Sequence, residues 1–519
     1  MKKAIYLIIA LIGLSAPSCS DSMLDFSPTD SGSGKELLKS ASTAITSVNG
    51  VYRSMWTAGW STTANTHQCF GIAAYNLALD CMADDLIMQS QGNSWFWGDH
   101  CYNVKSNYTS SAFRSYDVWY ANYKWIANVN YIIDAEPEMA GTEADVAYVA
   151  GQAYAIRALC YLNLATWFSR APYNSLTGAS RWNEPCVPVY TTGTSIDTGG
   201  QPRESLRTVY GRIDQDIDRA IELLEKARET TLAENNKSHI NLYVALGIKS
   251  RACLAEGDWD GAFKAAKRVI DEGGYAVGTK SDLTGGMNSL DKQNVMWGAG
   301  IQVADQAGGY AGFFTHMDNK EGAYAKSAPK LISKQLYNRI SATDIRRDWW
   351  DPSDKESPYV SKKFSFANVA SFLGDYIYMR VEEMYFTAAE AALRLDDLKS
   401  ARELMNTVMA ERDPGYSANN RSGTLLGATT TTWTGSFLEN ILTHRRIELW
   451  GEYGRLFDVR RLGQGIDRRT DDGFSEECIS MMNRRNVNIT KADTYDWVLT
   501  IPKAELDANP NINEEDQNP

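Results

Sequence analysis

Residues 93–99 have the sequence NSWFWGD, which places Trp95, Phe96 and Trp97 side by side among small and polar residues. Three consecutive aromatic side chains do not fit one buried face of a helix, and in an extended chain Trp95 and Trp97 point to the same side. Flat C–H faces of sugar rings pack against aromatic faces, and the indole N–H adds a polar contact for hydroxyl groups. We therefore predict that these three rings form one wall of a ligand site; the alternative is that they cap the core beneath a loop.

Two further stretches combine aromatic residues with glycine or with charge. Tyr310 and Phe313 stand among glycines, which suits a loop that closes over a ligand. Arg347 stands beside Trp349 and Trp350, where a guanidinium group can bond the hydroxyls around a stacked ring. We predict ligand contacts at both stretches, with plain packing of the rings as the competing interpretation.

The acidic residues do not have the pattern of a hydrolase. Glycoside hydrolysis needs two carboxyl groups about 5–9 Å apart across one bond, whereas the adjacent Asp84 and Asp85 would point about 100° apart on a helix. They are therefore predicted to form ion pairs or a helix cap. The chain also has no phosphate-binding loop, no nucleophile motif and no two of its five histidines at metal-ligand spacing. We expect a binding protein without catalysis, cofactor or assigned metal ligands.

Arginines between residues 445 and 461 form a second charged pattern. They alternate with Glu448, Glu452 and Asp458. Interleaved charges of opposite sign favour an internal ion-pair network over a phosphate site.

The N-terminus has the layout of an exported lipoprotein. Lys2 and Lys3 precede residues 4–14, which carry no charge and are too few to span a membrane. Small residues then lead to Cys19, as in a lipobox. We predict that residues 1–18 are a lipoprotein signal peptide and that Cys19 is acylated. Ordinary cleavage that leaves Cys19 as a plain thiol is the alternative.

The composition of the remaining chain predicts a tether followed by a globular domain. Residues 19–40 are predicted to be the acylated cysteine and a flexible tether, because residues 20–35 are rich in Ser, Gly and Asp. Residues 41–519 are expected to form a single globular domain with an N-terminal helical part (about 41–270) and a C-terminal part (about 271–519). A formal net charge of −12 gives no electrostatic reason to bind nucleic acid or anionic lipid. The membrane contact would be the lipid anchor alone.

Amphipathic helices dominate the pattern, as in residues 151–168 and 209–227. Residues 252–262 and 391–401 superpose at an offset of 139 without a gap. Each has a helix with small residues, a short Gly/Asp turn and a second helix with an alanine on its inner face, which is the unit of a tetratricopeptide repeat. The alternative is that any two amphipathic hairpins look alike. We predict a mainly all-α fold of such hairpins, with long irregular loops and few short strands.

Six stretches resemble, in order, elements of the SusD/RagB family of outer-membrane lipoproteins, and together they extend over nearly the whole mature chain. They are residues 82–86 (MADDL), 119–133 (WYANYKWIANVNYII), 155–164 (AIRALCYLNL), 380–391 (RVEEMYFTAAEA), 445–461 (RRIELWGEYGRLFDVRR) and 501–511 (IPKAELDANPN).

The resemblance implies a function. Such proteins lie on the outer face of the outer membrane, cap a partner TonB-dependent β-barrel transporter, and bind nutrient oligomers, usually glycans and sometimes peptides, without catalysis. Asp21 and Asp25 resemble the family's signal for display at the cell surface. In the family, the loop after the 82–86 element commonly helps to build the ligand site, which supports Trp95 to Trp97. A peptide-binding or purely protein-docking scaffold of the same complex is the alternative.

Overall fold

The structure is a computed structural model that describes residues 34–57, 66–103, 113–195, 197–233, 237–303, 311–492 and 494–519. Of the predicted site residues, Cys19 and Tyr310 lie outside these ranges.

Helices dominate the fold, as the sequence predicts, and no helix in the described ranges is both long and apolar enough to cross a bilayer. The helices are α1 (Gly34–Leu37), α2 (Ala41–Ser54), α3 (Ile72–Met82), α4 (Trp97–His100), α5 (Phe113–Ala135), α6 (Glu143–Phe168), α7 (Leu206–Lys226), α8 (Leu242–Glu256), α9 (Trp259–Glu272), α10 (Lys280–Leu283), α11 (Phe313–Met317), α12 (Ala323–Ser327), α13 (Lys334–Tyr337), α14 (Val381–Arg394), α15 (Leu398–Ala410), α16 (Phe437–Glu448), α17 (Arg455–Leu462), α18 (Glu476–Arg484) and α19 (Lys503–Ala508). The strands are β1 (Leu86–Met88), β2 (Val295–Ala299), β3 (Lys330–Ile332), β4 (Trp350–Asp351), β5 (Val360–Ser361) and β6 (Tyr376–Arg380).

The N-terminal part is a row of long helices in which α5, α6, α7 and α8 pack in chain order. The side chain of Thr142 caps α6 by accepting a hydrogen bond from the backbone N–H of Asp145. At Gly151 a Cβ atom would lie 2.9 Å from the side chain of Leu224, so glycine permits the close approach of α7. The two predicted helices over 151–168 and 209–227 are confirmed as parts of α6 and α7.

The two predicted repeats are the helical hairpins α8–α9 and α14–α15, and α9 packs on α14. Equivalent residues make equivalent turns: Gly257 and Asp396 have left-handed backbone with φ of 76° and 62°. The residues that follow, Asp258 and Asp397, each cap the second helix by accepting a hydrogen bond from the backbone N–H three residues further on. The prediction of tetratricopeptide-like hairpins is therefore confirmed at the level of turn and cap.

One of two small sheets joins the two parts of the chain. One antiparallel sheet has the order β1-β3-β5-β4, with Leu86 opposite Ile332, and a second pairs β2 with β6. The pairing of β1 with β3 brings the loop after β1 beside α12, where the hydroxyl of Ser90 donates to the carbonyl of Ser327 at 3.3 Å. The first predicted ligand loop is therefore held against the C-terminal part.

Candidate ligand-binding site

Trp95 lies in the loop between β1 and α4, and the backbone of this loop turns sharply. Gly92, Ser94 and Phe96 have positive φ angles of 49°, 70° and 61°. For residues other than glycine this conformation costs about 1 kcal/mol or more, and such residues cluster at ligand sites. Because of these turns the indole of Trp95 stays half-buried at the surface, whereas the rings of Phe96 and Trp97 enter the core.

The Trp95 ring is held by two other rings. His67 stacks on it with 4.8 Å between ring centroids and 18° between planes, and Tyr324 meets it edge-on at 6.0 Å. A 2.5 Å hydrogen bond joins the Tyr324 hydroxyl to Nδ1 of His67. The polar side chains of Gln91 and Asn93 are exposed in the same loop. A ligand ring can therefore stack on the accessible part of the indole, with the exposed side chains of Gln91 and Asn93 in the same loop to bond its hydroxyls.

Phe96 and Trp97 do not contribute to this surface. Phe96 is 0% exposed and packs against Phe70 and the guanidinium of Arg114, and Trp97 is 3% exposed and contacts His100. Their burial contradicts the prediction that they contact a ligand and fits the alternative, in which they cap the core beneath a loop. The left-handed residues break the extended alternation that would place Trp95 and Trp97 on the same side.

The two residues predicted in the glycine-flanked stretch have different outcomes. Phe313 begins α11 and is buried, with its ring 5.1 Å from Phe364 and 6.0 Å from Tyr376. This burial contradicts its prediction as a ligand contact, because the ring packs in an aromatic cluster of the core. Tyr310 lies outside the described residues, so its role stays a prediction.

The third predicted stretch is also packed. Trp349 and Trp350 are 2% and 1% exposed, which contradicts their prediction as ligand rings. The guanidinium of Arg347 lies over the ring of Tyr337 at 4.4 Å and donates a hydrogen bond to the carbonyl of Ile340 at 2.7 Å. This bond uses one of the five N–H donors of a half-buried side chain, so the ligand role of Arg347 stays a prediction. The competing interpretation, plain packing, describes Trp349 and Trp350.

Asp84 and Asp85 form ion pairs, as predicted. Arg446 lies 3.0 Å from Asp84 and 2.6 Å from Asp85, and Arg455 lies 3.1 Å from Asp84. Burial alone would raise the pKa of Asp84, but Arg455 and Arg446 outweigh it and lower this pKa to about 2. A carboxyl group that is ionised throughout the neutral range has no proton to donate, so Asp84 is unsuited to be a general acid. Among the described residues no group of His, Cys, Asp and Glu could hold a metal ion.

A cavity of about 470 Å³ lies beside α5, where the sequence analysis placed no site. Its wall includes Trp119, Tyr120 and Tyr123 of α5 and Tyr190 from the segment between α6 and α7. Aromatic residues at helical spacing are typical of a core face, so this pattern gave no reason to expect a cavity.

These stacked hairpins, with a half-buried tryptophan on a loop, define a helical-repeat scaffold with aromatic residues at its surface. The chain belongs to the SusD/RagB family. The family model described as SusD family matches residues 326–519, and the model described as "Starch-binding associating with outer membrane" matches residues 46–254. No curated protein matches the chain.

Solved structures share this fold. A SusD-like carbohydrate binding protein from Bacteroides vulgatus is 25% identical, with a TM-score of 0.73 over 92% of this chain and 98% of that chain. A SusD superfamily protein from Bacteroides thetaiotaomicron is 22% identical, with a TM-score of 0.73 over 92% of this chain and 100% of that chain. Surface glycan-binding protein A from Bacteroides thetaiotaomicron, in complex with laminarihexaose, is 15% identical, with a TM-score of 0.63 over 92% of this chain and 99% of that chain. At these identities the last two establish the fold alone.

Proposed function

We propose that the protein is a cell-surface lipoprotein that binds nutrient glycans, without catalysis, and delivers them to a partner TonB-dependent outer-membrane transporter. The observation that carries the proposal is Trp95, a half-buried indole held by His67 and Tyr324 in a strained loop of a SusD/RagB-family fold. The carbohydrate binding protein that is similar to this chain, and the glycan-binding protein that holds laminarihexaose, support a glycan as the ligand class.

Stacking on one indole, with a few hydrogen bonds to hydroxyl groups, gives weak binding of a single sugar. The rings that already surround Trp95 fix its orientation, so little conformational entropy is lost when a ligand binds. We expect affinity to rise with the length of the oligosaccharide as more sugar rings make contact.

The proposal also includes the location of the protein in the cell. Residues 1–18 are removed, acyl chains on Cys19 hold the protein on the outer face of the outer membrane, and residues 19–40 give it reach toward the transporter. The family description that associates this fold with the outer membrane supports this placement. Two or more acyl chains anchor a protein stably, where one chain binds only marginally.

Replacing Trp95 by Ala is expected to weaken oligosaccharide binding about tenfold or more, equivalent to about 1.4 kcal/mol, because the stacking surface is removed. Isothermal titration calorimetry with laminarihexaose and other oligosaccharides measures the change. Tyr385→Ala is the matched control, since Tyr385 is also a half-buried ring but lies on α14. Equal affinity of Trp95→Ala and wild type would exclude Trp95 from the site, and a wild type that binds no glycan would refute the glycan function.

Replacing Cys19 by Ala is expected to abolish incorporation of labelled palmitate and to remove the protein from the outer-membrane fraction, because no acyl chain can be attached. Mass spectrometry of the mature N-terminus gives the attached mass directly. Cys253→Ala is the control, since this thiol is buried in the fold and should leave labelling unchanged. An unacylated terminus in the wild type would disprove the anchor.

A further inference from the structure

We propose that the cavity beside α5 is a second oligosaccharide site, separate from Trp95, that accepts neutral sugars. The inference rests on the proposed glycan-binding function. The cavity volume of about 470 Å³ lies within the range of small-molecule sites, about 300–1,000 Å³.

Aromatic rings inclined to one another form part of the cavity wall. The rings of Trp119 and Tyr123 lie 4.9 Å apart between centroids, and Tyr190 meets Tyr123 perpendicularly at 5.9 Å. Trp119 is mostly buried, with 6% of its surface exposed, while Tyr120, Tyr123 and Tyr190 are half-buried. Rings that meet at right angles present aromatic surface on two sides of a ligand, which suits the flat faces of a pyranose.

Hydrogen bonds within the protein hold these rings in place. The Tyr123 hydroxyl donates to the carbonyl of Pro188 at 2.7 Å, and the Tyr190 hydroxyl accepts from the backbone N–H of Gln201 at 3.0 Å. The site is therefore formed before a ligand arrives, which lowers the entropic cost of binding.

A fixed carboxylate supplies the polar contact. One oxygen of Glu505 accepts from the indole N–H of Trp119 at 3.3 Å, and the other accepts from the side-chain amide of Asn509 at 2.8 Å. Each carboxylate oxygen can accept further hydrogen bonds, and Ser195 and Thr198 also line the cavity. This set can bond the hydroxyl groups of a sugar.

Charge selects neutral ligands over acidic ones. Glu505 is held in the wall, and the exposed side chain of Lys124 places its ammonium group 5.4 Å from the centroid of the Tyr120 ring, so the lining carries one charge of each sign. The chain as a whole has a formal net charge of −12, which repels uronic acids. We therefore assign the cavity to neutral oligosaccharides.

The cavity and the Trp95 loop lie on opposite sides of α5. Arg114 points toward the loop, since its Nε lies 2.8 Å from Asp99 and its guanidinium lies 5.3 Å from the Phe96 ring. Tyr123 follows nine residues later, which is two and a half turns at 3.6 residues per turn and so on the opposite face. One sugar ring cannot contact both sites.

Tyr120→Ala is the variant that tests the second site. Its ring lines the cavity, stacks on Tyr116 at 5.5 Å and sits on a helix where alanine is well tolerated. Calorimetry compares wild type, Trp95→Ala, Tyr120→Ala, the double variant and the Tyr385→Ala control. The probes are laminarihexaose, cellohexaose, maltohexaose, hexagalacturonic acid and an alanine-rich hexapeptide.

We expect a neutral hexasaccharide to bind wild type at two sites, each single variant with about tenfold or greater loss at the altered site alone, and the double variant with that loss at both sites. Hydrogen exchange should show ligand protection of residues 116–127 in Trp95→Ala, which tests the site without altering it. If Trp95→Ala abolished sugar binding and Tyr120→Ala bound sugars as wild type does, the second site would be refuted and the proposed function would stand. Preference for the hexapeptide or hexagalacturonic acid at the cavity would also overturn it, and a wild type that binds no sugar would overturn the proposed function itself.

Discussion

A Glu448→Gln variant is expected to lose about 3–5 kcal/mol of its free energy of unfolding. Glu448 is 0% exposed, and its two oxygens lie 3.1 Å from Arg346, 3.0 Å from Arg380 and 2.9 Å from Arg412. Burial alone would raise the pKa of Glu448, but the three guanidinium groups outweigh it and hold this pKa well below the usual range. A neutral amide would remove the charge that compensates three buried cations.

Glu448 belongs to a larger set of connected ion pairs, which we term the buried charge cluster. Its members are Asp344, Arg346, Lys363, Arg380, Glu382, Arg412, Glu448 and Glu452. Four cationic and four acidic side chains balance in this cluster, so a single neutralisation leaves one net buried charge. Loss of one member of a buried ion pair is therefore far more costly than loss of a surface pair.

Urea unfolding followed by tryptophan fluorescence measures the effect of Glu448→Gln. Glu356→Gln is the matched control, because Glu356 is exposed and the same change there should alter stability by no more than about 0.5 kcal/mol. Stability of the Glu448→Gln protein within about 1 kcal/mol of wild type would show that the cluster tolerates a net charge. Binding of glycans should change little, since Glu448 lies in the core and not at either proposed site.

Helical periodicity predicted the scaffold because the helices depend on local spacing of apolar residues. The alignment of the two repeats at a fixed offset also predicted equivalent turns. Gly257 and Asp396, which the alignment pairs, both have a left-handed backbone, and each is followed by a capping aspartate. The alternation of acids and arginines in residues 445–461 likewise predicted internal pairing, as between Arg445 and Asp458. The spacing of charges in residues 445–461 gave no information on ion-pair partners that are distant in the sequence, such as Arg346 and Arg380, which pair with Glu448.

The candidate site was harder to predict because exposure of a ring depends on backbone angles that composition does not specify. Phe96 adopts a left-handed conformation, which separates Trp95 from Trp97. The cavity beside α5 was missed for the opposite reason, since Tyr120 and Tyr123 have the helical spacing of core residues. Only the position of the segment that carries Tyr190 shows that this face borders a cavity.

An Asp80→Asn variant is expected to remove a large pH dependence of stability. Asp80 is 3% exposed, with one oxygen accepting from the backbone N–H of Arg455 at 2.7 Å and the other buried without a partner. Burial, and to a smaller extent the neighbouring Asp85, raise the pKa of Asp80, while the Arg455 hydrogen bond and Lys363 oppose the rise; the net result is a pKa of about 8. The folded protein therefore keeps a proton that the unfolded chain releases near its ordinary pKa of 3.8.

The direction follows from proton binding. Between about pH 4 and pH 8 the folded state holds more protons than the unfolded state, so the stability contributed by protonated Asp80 is present at low pH and lost as the pH rises through about 8. A shift of about four pKa units corresponds to a change on the order of 5 kcal/mol across this window. Asparagine keeps an oxygen acceptor for Arg455 and carries no charge, so the variant should lie within about 2 kcal/mol of wild type near pH 5 and exceed its stability by about 5 kcal/mol near pH 9.

Urea unfolding midpoints at pH values from 5 to 9 measure this difference. Other groups that titrate in the same range, such as Lys363 and Asp472 with pKa values shifted to about 8 and about 7, are present in both proteins, so most of their effect cancels in the comparison. Asp84→Asn is the opposing control: its carboxylate is paired with Arg446 and Arg455, so this change should reduce stability throughout the neutral range. Parallel pH profiles for wild type and Asp80→Asn would refute the buried proton, because an ionised Asp80 gives no slope above pH 5.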